Sequence, residues 1–250
     1  MGALSGFAEQ KFLWIGPDLH LTAPTVIYFA LSGYESLHTD PFNQVAMHLA
    51  SQGVRVLSTD IPAHGENLPS IDALKGWAND ISHGHDPLTP FFNNTARSLN
   101  VFKEKRVIDS EQVALVGLSR GAFIATQIAA RLPWIKAILG FAPLTQLKLA
   151  KEFHFLAHND LVQSLDLNLI IPELIHKKIR FYISNRDTRV GTKECFNFIY
   201  ELAHKAFEAN IRSPELELLI KPPIGHHGHG TSKEVFLEGA SWLASLWKDL

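Results

Sequence analysis

Val113-Ala114-Leu115-Val116-Gly117-Leu118-Ser119-Arg120-Gly121 puts a strand and a sharp turn next to each other, and the small and helix-forming residues 122–132 follow at once. The opening run is apolar and rich in β-branched residues, as a buried strand should be. The five residues from Gly117 to Gly121 fit the pattern G-x-S-x-G. A serine on so tight a strand-to-helix turn sits in strained backbone, and its neighbours two residues away must lack side chains so that strand and helix can approach. The turn leaves an exposed hydroxyl at a helix N-terminus, beside a backbone N–H able to stabilise an oxyanion. Ser119 is therefore the candidate nucleophile.

Outward from this turn, apolar strand patterns alternate with helical ones. Strands are predicted at residues 25–30, 54–58, 135–141, 179–184 and 216–220, with a further edge strand around 11–21. Helices are predicted at about 41–51, in two stretches between 72 and 109, and at 192–210 and 232–248. The last opens with Thr231 and Glu234 in capping-box spacing. Residues 145–178 hold helical pieces without a clear strand and read as a small cap. No repeat or low-complexity linker divides the chain, so residues 1–250 are read as one domain. The alternation predicts an α/β fold, a mostly parallel sheet covered on both faces, with its chemistry beyond the C-terminal strand ends.

A serine hydroxyl needs a base, and the base needs an orienting acid. Asp187 follows the strand at 179–184 and is the acid candidate; Asp160 and Asp166 precede that strand and stand as substitutes. Gly225-His226-His227-Gly228-His229-Gly230 follows the strand at 216–220. His226 is preferred as base for its distance from the strand, with His229 the alternative and His227 third.

With Ser119, Asp187 and a histidine in that order, the chain resembles the α/β-hydrolases of the serine esterase, lipase and peptidase-like kind. Ser32-Gly33-Tyr34 and Asp60-Ile61-Pro62-Ala63-His64-Gly65-Glu66 extend the resemblance, the second being similar to the D-x-P-G-H-G stretch common there. The resemblance implies a Ser–His–Asp acyl-enzyme mechanism and an oxyanion hole from the backbone N–H groups of Arg120 and Tyr34. It implies a carboxylesterase acting on a small-molecule ester, without a cofactor. An oligopeptidase-like peptidase, an acyltransferase and a non-catalytic ligand-binding module on the same fold are the alternatives.

Composition limits the remaining choices. Hydrophobic residues make up 46% and charged residues 19%, ordinary for a globular protein. A net charge of −2 gives no basic footprint for nucleic acid or an anionic membrane. The single Cys195 allows no intrachain disulfide and sits in an apolar helical pattern, as a buried structural thiol would. No apolar run reaches membrane-span length, and no signal peptide or myristoylation pattern opens the chain, so a cytoplasmic protein is expected. The thirteen histidines raise the question of metal, but no ligand set with zinc spacing stands out, and none is expected. Arg120 is an unusual neighbour for a nucleophile: either an internal ion pair holds it, or it narrows the pocket or meets a substrate carboxylate. His83 and His85, beside Asp86, read as solvated loop histidines. Phe153, Phe155, Trp77 and Phe91 are candidates for an acyl pocket or for core.

Overall fold

A computed structural model of the chain describes residues 2–65, 68 and 70–247; Glu66 of the Asp60 stretch and Lys248, the last residue of the helix predicted at 232–248, lie outside them. In chain order the strands are β1 (Gly2–Ser5), β2 (Lys11–Ile15), β3 (Thr25–Phe29), β4 (Arg55–Thr59), β5 (Val113–Leu118), β6 (Ala137–Phe141), β7 (Lys178–Ser184) and β8 (Leu216–Lys221). They form one sheet in the order β1-β2-β4-β3-β5-β6-β7-β8. β1 with β2 and β2 with β4 are antiparallel, and every other neighbouring pair is parallel.

Every residue of β3, β4 and β6 is buried, as expected of strands with both faces covered. Alternate residues feed two apolar layers. Ile27, Phe29, Leu57, Leu115, Ile138 and Phe181 face one side. Val26, Tyr28, Val56, Val116, Leu139 and Tyr182 face the other. The helices are α1 (Gly33–His38), α2 (Gln44–Ser51), α3 (Ala73–Ser82), α4 (Thr89–Glu104), α5 (Arg120–Ala130), α6 (Asp160–Ser164), α7 (Thr192–Glu208) and α8 (Lys233–Ser245). α3, α4, α5 and α7 pack into the first layer, while α1, α2 and α8 pack into the second. All of α5 from Arg120 to Ala129 is buried, so the central helix is sealed on every side.

Three local expectations change. The predicted edge strand around residues 11–21 is β2, one strand in, and the edge is β1, whose four residues alternate weakly and needed a partner to show themselves. The loop after β3, where no helix is predicted, contains α1. The last helix is capped by Ser232, whose hydroxyl accepts from Val235 N–H, not by Thr231. Segment 145–178 contains α6 and 3₁₀ turns at Leu147–Leu149, Lys151–Leu156 and Leu167–Glu173. It buries Leu147, Phe153, Leu167 and Ile171 in the first layer. No helix among the described residues is long and apolar enough to cross a membrane.

Candidate active site

Ser119 follows β5 and is the N-cap residue of α5, with φ 56° and ψ −118°, a conformation costing about 1–3 kcal/mol for a residue with a side chain. Its neighbours show why that turn is held. A Cβ on Gly121 would lie 1.9 Å from the Phe29 carbonyl oxygen, and one on Gly117 would lie 2.3 Å from the backbone of Gly121 and Ala122. Only glycine lets β3, β5 and α5 meet there. Ser119 N–H donates to Phe141 O at 2.8 Å, which ties the turn to β6.

Asp187 leaves β7 in a loop clamped at its base. Thr192 Oγ1 accepts from Asp187 N–H at 2.9 Å and donates to Ser184 O at 2.7 Å. The carboxyl is fully buried. Its Oδ1 accepts from the N–H groups of Arg189 and Val190, at 2.9 and 3.0 Å. Oδ2 lies 2.7 Å from His229 Nδ1, and His229 Nε2 lies 2.8 Å from Ser119 Oγ. A carboxylate only accepts, so Nδ1 carries the proton and Nε2 offers its lone pair to the serine hydroxyl.

The histidine is thus His229, and the preferred His226 is not part of the line. His226 and His227 stack edge to face with ring centroids 4.0 Å apart, in a 3₁₀ turn spanning His226–Gly228. That turn takes up the residues between Gly225 and His229, so distance from the strand does not by itself fix the base. Beyond it the loop is pinned to the Asp187 loop: Thr188 N–H donates to His227 O at 3.0 Å, and Ser184 Oγ donates to Gly228 O at 2.5 Å. Gly228 has φ 70°, and a Cβ there would lie 2.2 Å from Arg186 O. His229 follows that contact and so meets the carboxylate.

Ser119 and His229 open on a cavity of about 480 Å³ at the C-terminal edge of the sheet. Leu31, Pro41, Phe42, Leu118 and Phe236 give it an apolar wall; Glu35, Ser70, Arg120 and Arg189 give it a polar one.

No protein-family model matches the chain, and no curated protein matches it in sequence. Solved structures do match over nearly its whole length. TT1662 from Thermus thermophilus superposes with a TM-score of 0.70 at 16% identity, over 99% of this chain and 97% of that one. An esterase from Pyrococcus furiosus gives 0.64 at 16% identity, over 98% and 88%. Porphyromonas gingivalis dipeptidyl peptidase 4 gives 0.71 at 14% identity over 98% of this chain, which spans 35% of the peptidase's length. The chain has the α/β-hydrolase fold.

Of the two residues whose backbone N–H groups are expected to form an oxyanion hole, Arg120 lines the cavity and Tyr34 does not. Arg120 opens α5, where first-turn N–H groups lack an intrahelical acceptor. Tyr34, the other expected donor, is 57% exposed and does not line the cavity. Ser32 and Glu35 close a capping box that turns Ser32-Gly33-Tyr34 into the start of α1. The spacing Ser32-x-x-Glu35 is the sequence signal for this helix start. Ala30, Leu31 and Glu35 are the residues of this stretch that line the cavity, and the N–H of Leu31 donates to Ser36 Oγ at 3.0 Å.

Arg120 has no internal ion pair among the described residues. Its Nε and Nη2 lie 3.2 and 2.7 Å from His64 Nε2, and Nη2 donates to Ser70 O at 2.8 Å. His64 is an acceptor because its Nδ1 proton goes to Pro62 O at 2.9 Å. Burial, with Arg120 adding to it, pushes the His64 pKa down to about 4, so the ring is neutral. Arg189 and Phe236 were missed by the sequence reading, since nothing in their local pattern marks them for the cavity.

The other candidates are occupied elsewhere. His83 Nδ1 bonds Asn79 O, and Asp86 Oδ1 caps α4 through Leu88 and Thr89 N–H. Asp166 Oδ1 caps the turn at Asn168, and Asp160 opens α6. Trp77 is core and donates to Pro62 O; Phe153 is core and Phe155 is 70% exposed; Phe91 packs beside Phe29. None of these four lines the cavity. Cys195 is buried, and burial pushes its thiol pKa up, away from a thiolate. Among the described residues no group of three or more His, Cys, Asp or Glu is placed to hold a metal.

Proposed function

We propose that the protein is a serine hydrolase that cleaves carboxylic esters by acyl transfer. The observation that carries this reading is the continuous line Asp187–His229–Ser119, in which a strained serine faces a cavity. Ser119 Oγ attacks the ester carbonyl while His229 Nε2 takes its proton. Asp187 fixes the ring with Nδ1–H inward and stabilises the imidazolium that forms. The Arg120 N–H donates to the tetrahedral oxyanion, a contact worth about 10²–10³ in turnover. His229 then returns the proton to the leaving alkoxide, and water, activated by the same nitrogen, releases the acid.

Esters rather than peptides are proposed because an alkoxide leaves more readily than an amine. The superposition on an esterase and on a peptidase at similar identity is compatible with either bond. Labelling with a fluorophosphonate and turnover of short p-nitrophenyl esters test the proposal, with Ser119→Ala as control. Labelling and hydrolysis by the wild type, both abolished in the variant, are expected. A wild type that does neither sinks the enzyme reading and leaves a ligand-binding protein on this fold.

A further inference from the structure

We propose that the preferred esters carry one carboxylate, received by Arg120 and Arg189 on the wall of the cavity that holds Ser119. The proposal rests on the serine-hydrolase reading for the reaction, but its site is argued from charge alone.

Arg120 is only 9% exposed, yet no carboxylate of the described residues lies within ion-pair distance of it. Its bonded partners, His64 Nε2 and Ser70 O, are neutral acceptors. A guanidinium carries five N–H donors in a rigid fork. Those on Nε and Nη2 are engaged, while the pair on Nη1 has no acceptor among the described residues. A second guanidinium lines the same cavity. Arg189 makes one 3.4 Å contact to Glu152 Oε1, and its side chain stays a quarter exposed. Burial, reinforced by the like charge of Arg189, pushes the Arg120 pKa down to about 10, which still leaves it a cation at neutral pH. A buried cation without a paired anion is costly, and the fork matches a carboxylate in two parallel hydrogen bonds.

Glu35 limits the charge that fits. It lines the cavity, but its Oε2 already accepts from Ser32 N–H, Ser32 Oγ and Ser70 Oγ, at 3.2, 2.7 and 2.9 Å. These bonds outweigh the upward pull of burial and hold the Glu35 pKa below the usual carboxylate value, so it stays an anion. Glu152 is a second carboxylate, engaged by its 3.4 Å contact with Arg189, so a single substrate carboxylate meets Arg120 and the remaining donors of Arg189, whereas a dianionic phosphate meets added repulsion with no further cation.

The test compares monomethyl with dimethyl esters of succinic, glutaric and adipic acids, the series scanning the spacing from ester to carboxylate. Wild-type kcat/KM is expected to favour at least one monoester over its diester by about tenfold or more, and Arg189→Gln to lower that ratio at least about threefold. Arg120→Met is expected to lower it further, with fluorophosphonate labelling showing whether that variant is folded. Equal or better turnover of every diester by the wild type overturns the proposal, as does an unchanged ratio in Arg189→Gln. If the wild type labels and cleaves diesters without preferring monoesters, the carboxylate site alone fails. If it cleaves neither, calorimetry on Ser119→Ala with the same pairs reads the site directly: tighter binding of a monoester supports it, and equal binding overturns it.

Discussion

The serine turn at Gly117–Gly121 and the histidine loop at Gly225–Gly230 lie side by side, yet they are specified in opposite ways. In the first, fixed backbone on either side dictates each special residue: a Cβ on Gly117 would lie 2.3 Å from Gly121 and Ala122 in the turn itself, one on Gly121 would lie 1.9 Å from Phe29 O on β3, and the serine between them has nowhere else to go. In the second, three histidines fall within four residues, and the choice among them is made by the neighbouring Asp187 loop. Thr188 N–H and Ser184 Oγ hold the carbonyls of His227 and Gly228, so that His229 is the ring set against the carboxylate. A glycine that tight backbone demands shows at its own position in the sequence; a docking between two loops is written in neither loop alone.

Several changes would break or sharpen this contrast. Asp187→Asn keeps the shape of the line but lets the amide favour the wrong His229 tautomer, so ester turnover should fall about 10⁴-fold with fluorophosphonate labelling slowed in parallel. Gly228→Ala attacks the docking. Its Cβ would press on Arg186 O in a backbone of positive φ, and displacing His229 by about 1 Å should cost about 10² in kcat/KM. Gly121→Ala attacks the serine turn instead, and should lower stability by about 3 kcal/mol in urea unfolding, because its Cβ would press on Phe29 O of β3, a strand that pairing with β5 holds in place.

The smallest effect concerns pH. His64 is held neutral with a folded pKa of about 4 against an ordinary 6.5, so the unfolded chain binds more protons between those values. Its stabilising contribution is complete above pH 6.5 and is lost as pH falls toward 4. Over that window the wild type should lose on the order of 2–3 kcal/mol more than His64→Gln, measured by urea unfolding at both ends.

The sheet was legible because its strands are apolar runs of ordinary length, and α5 because it follows the serine turn directly. Ser119 and Asp187 were legible for the same reason: each sits one step beyond a strand that the pattern marks. Tyr34 falls in the first turn of α1, a helix start that Ser32 and Glu35 signal by their spacing but that an apolar pattern does not mark. Phe42, Phe236, Arg189 and Leu31 come from separate parts of the chain, and only packing brings them to one cavity. Arg120 was visible as an oddity, but that its partners would be a neutral histidine and a carbonyl depended on the fold of the Asp60 loop.

The central claim is that His229, positioned by the Asp187 loop, is the base for Ser119. Its most direct test is kcat/KM on a short p-nitrophenyl ester for His229→Ala beside His226→Ala. The account predicts a loss of about 10⁴ or more for the first and a change within about threefold for the second. A severe loss in His226→Ala with His229→Ala near wild type would contradict it.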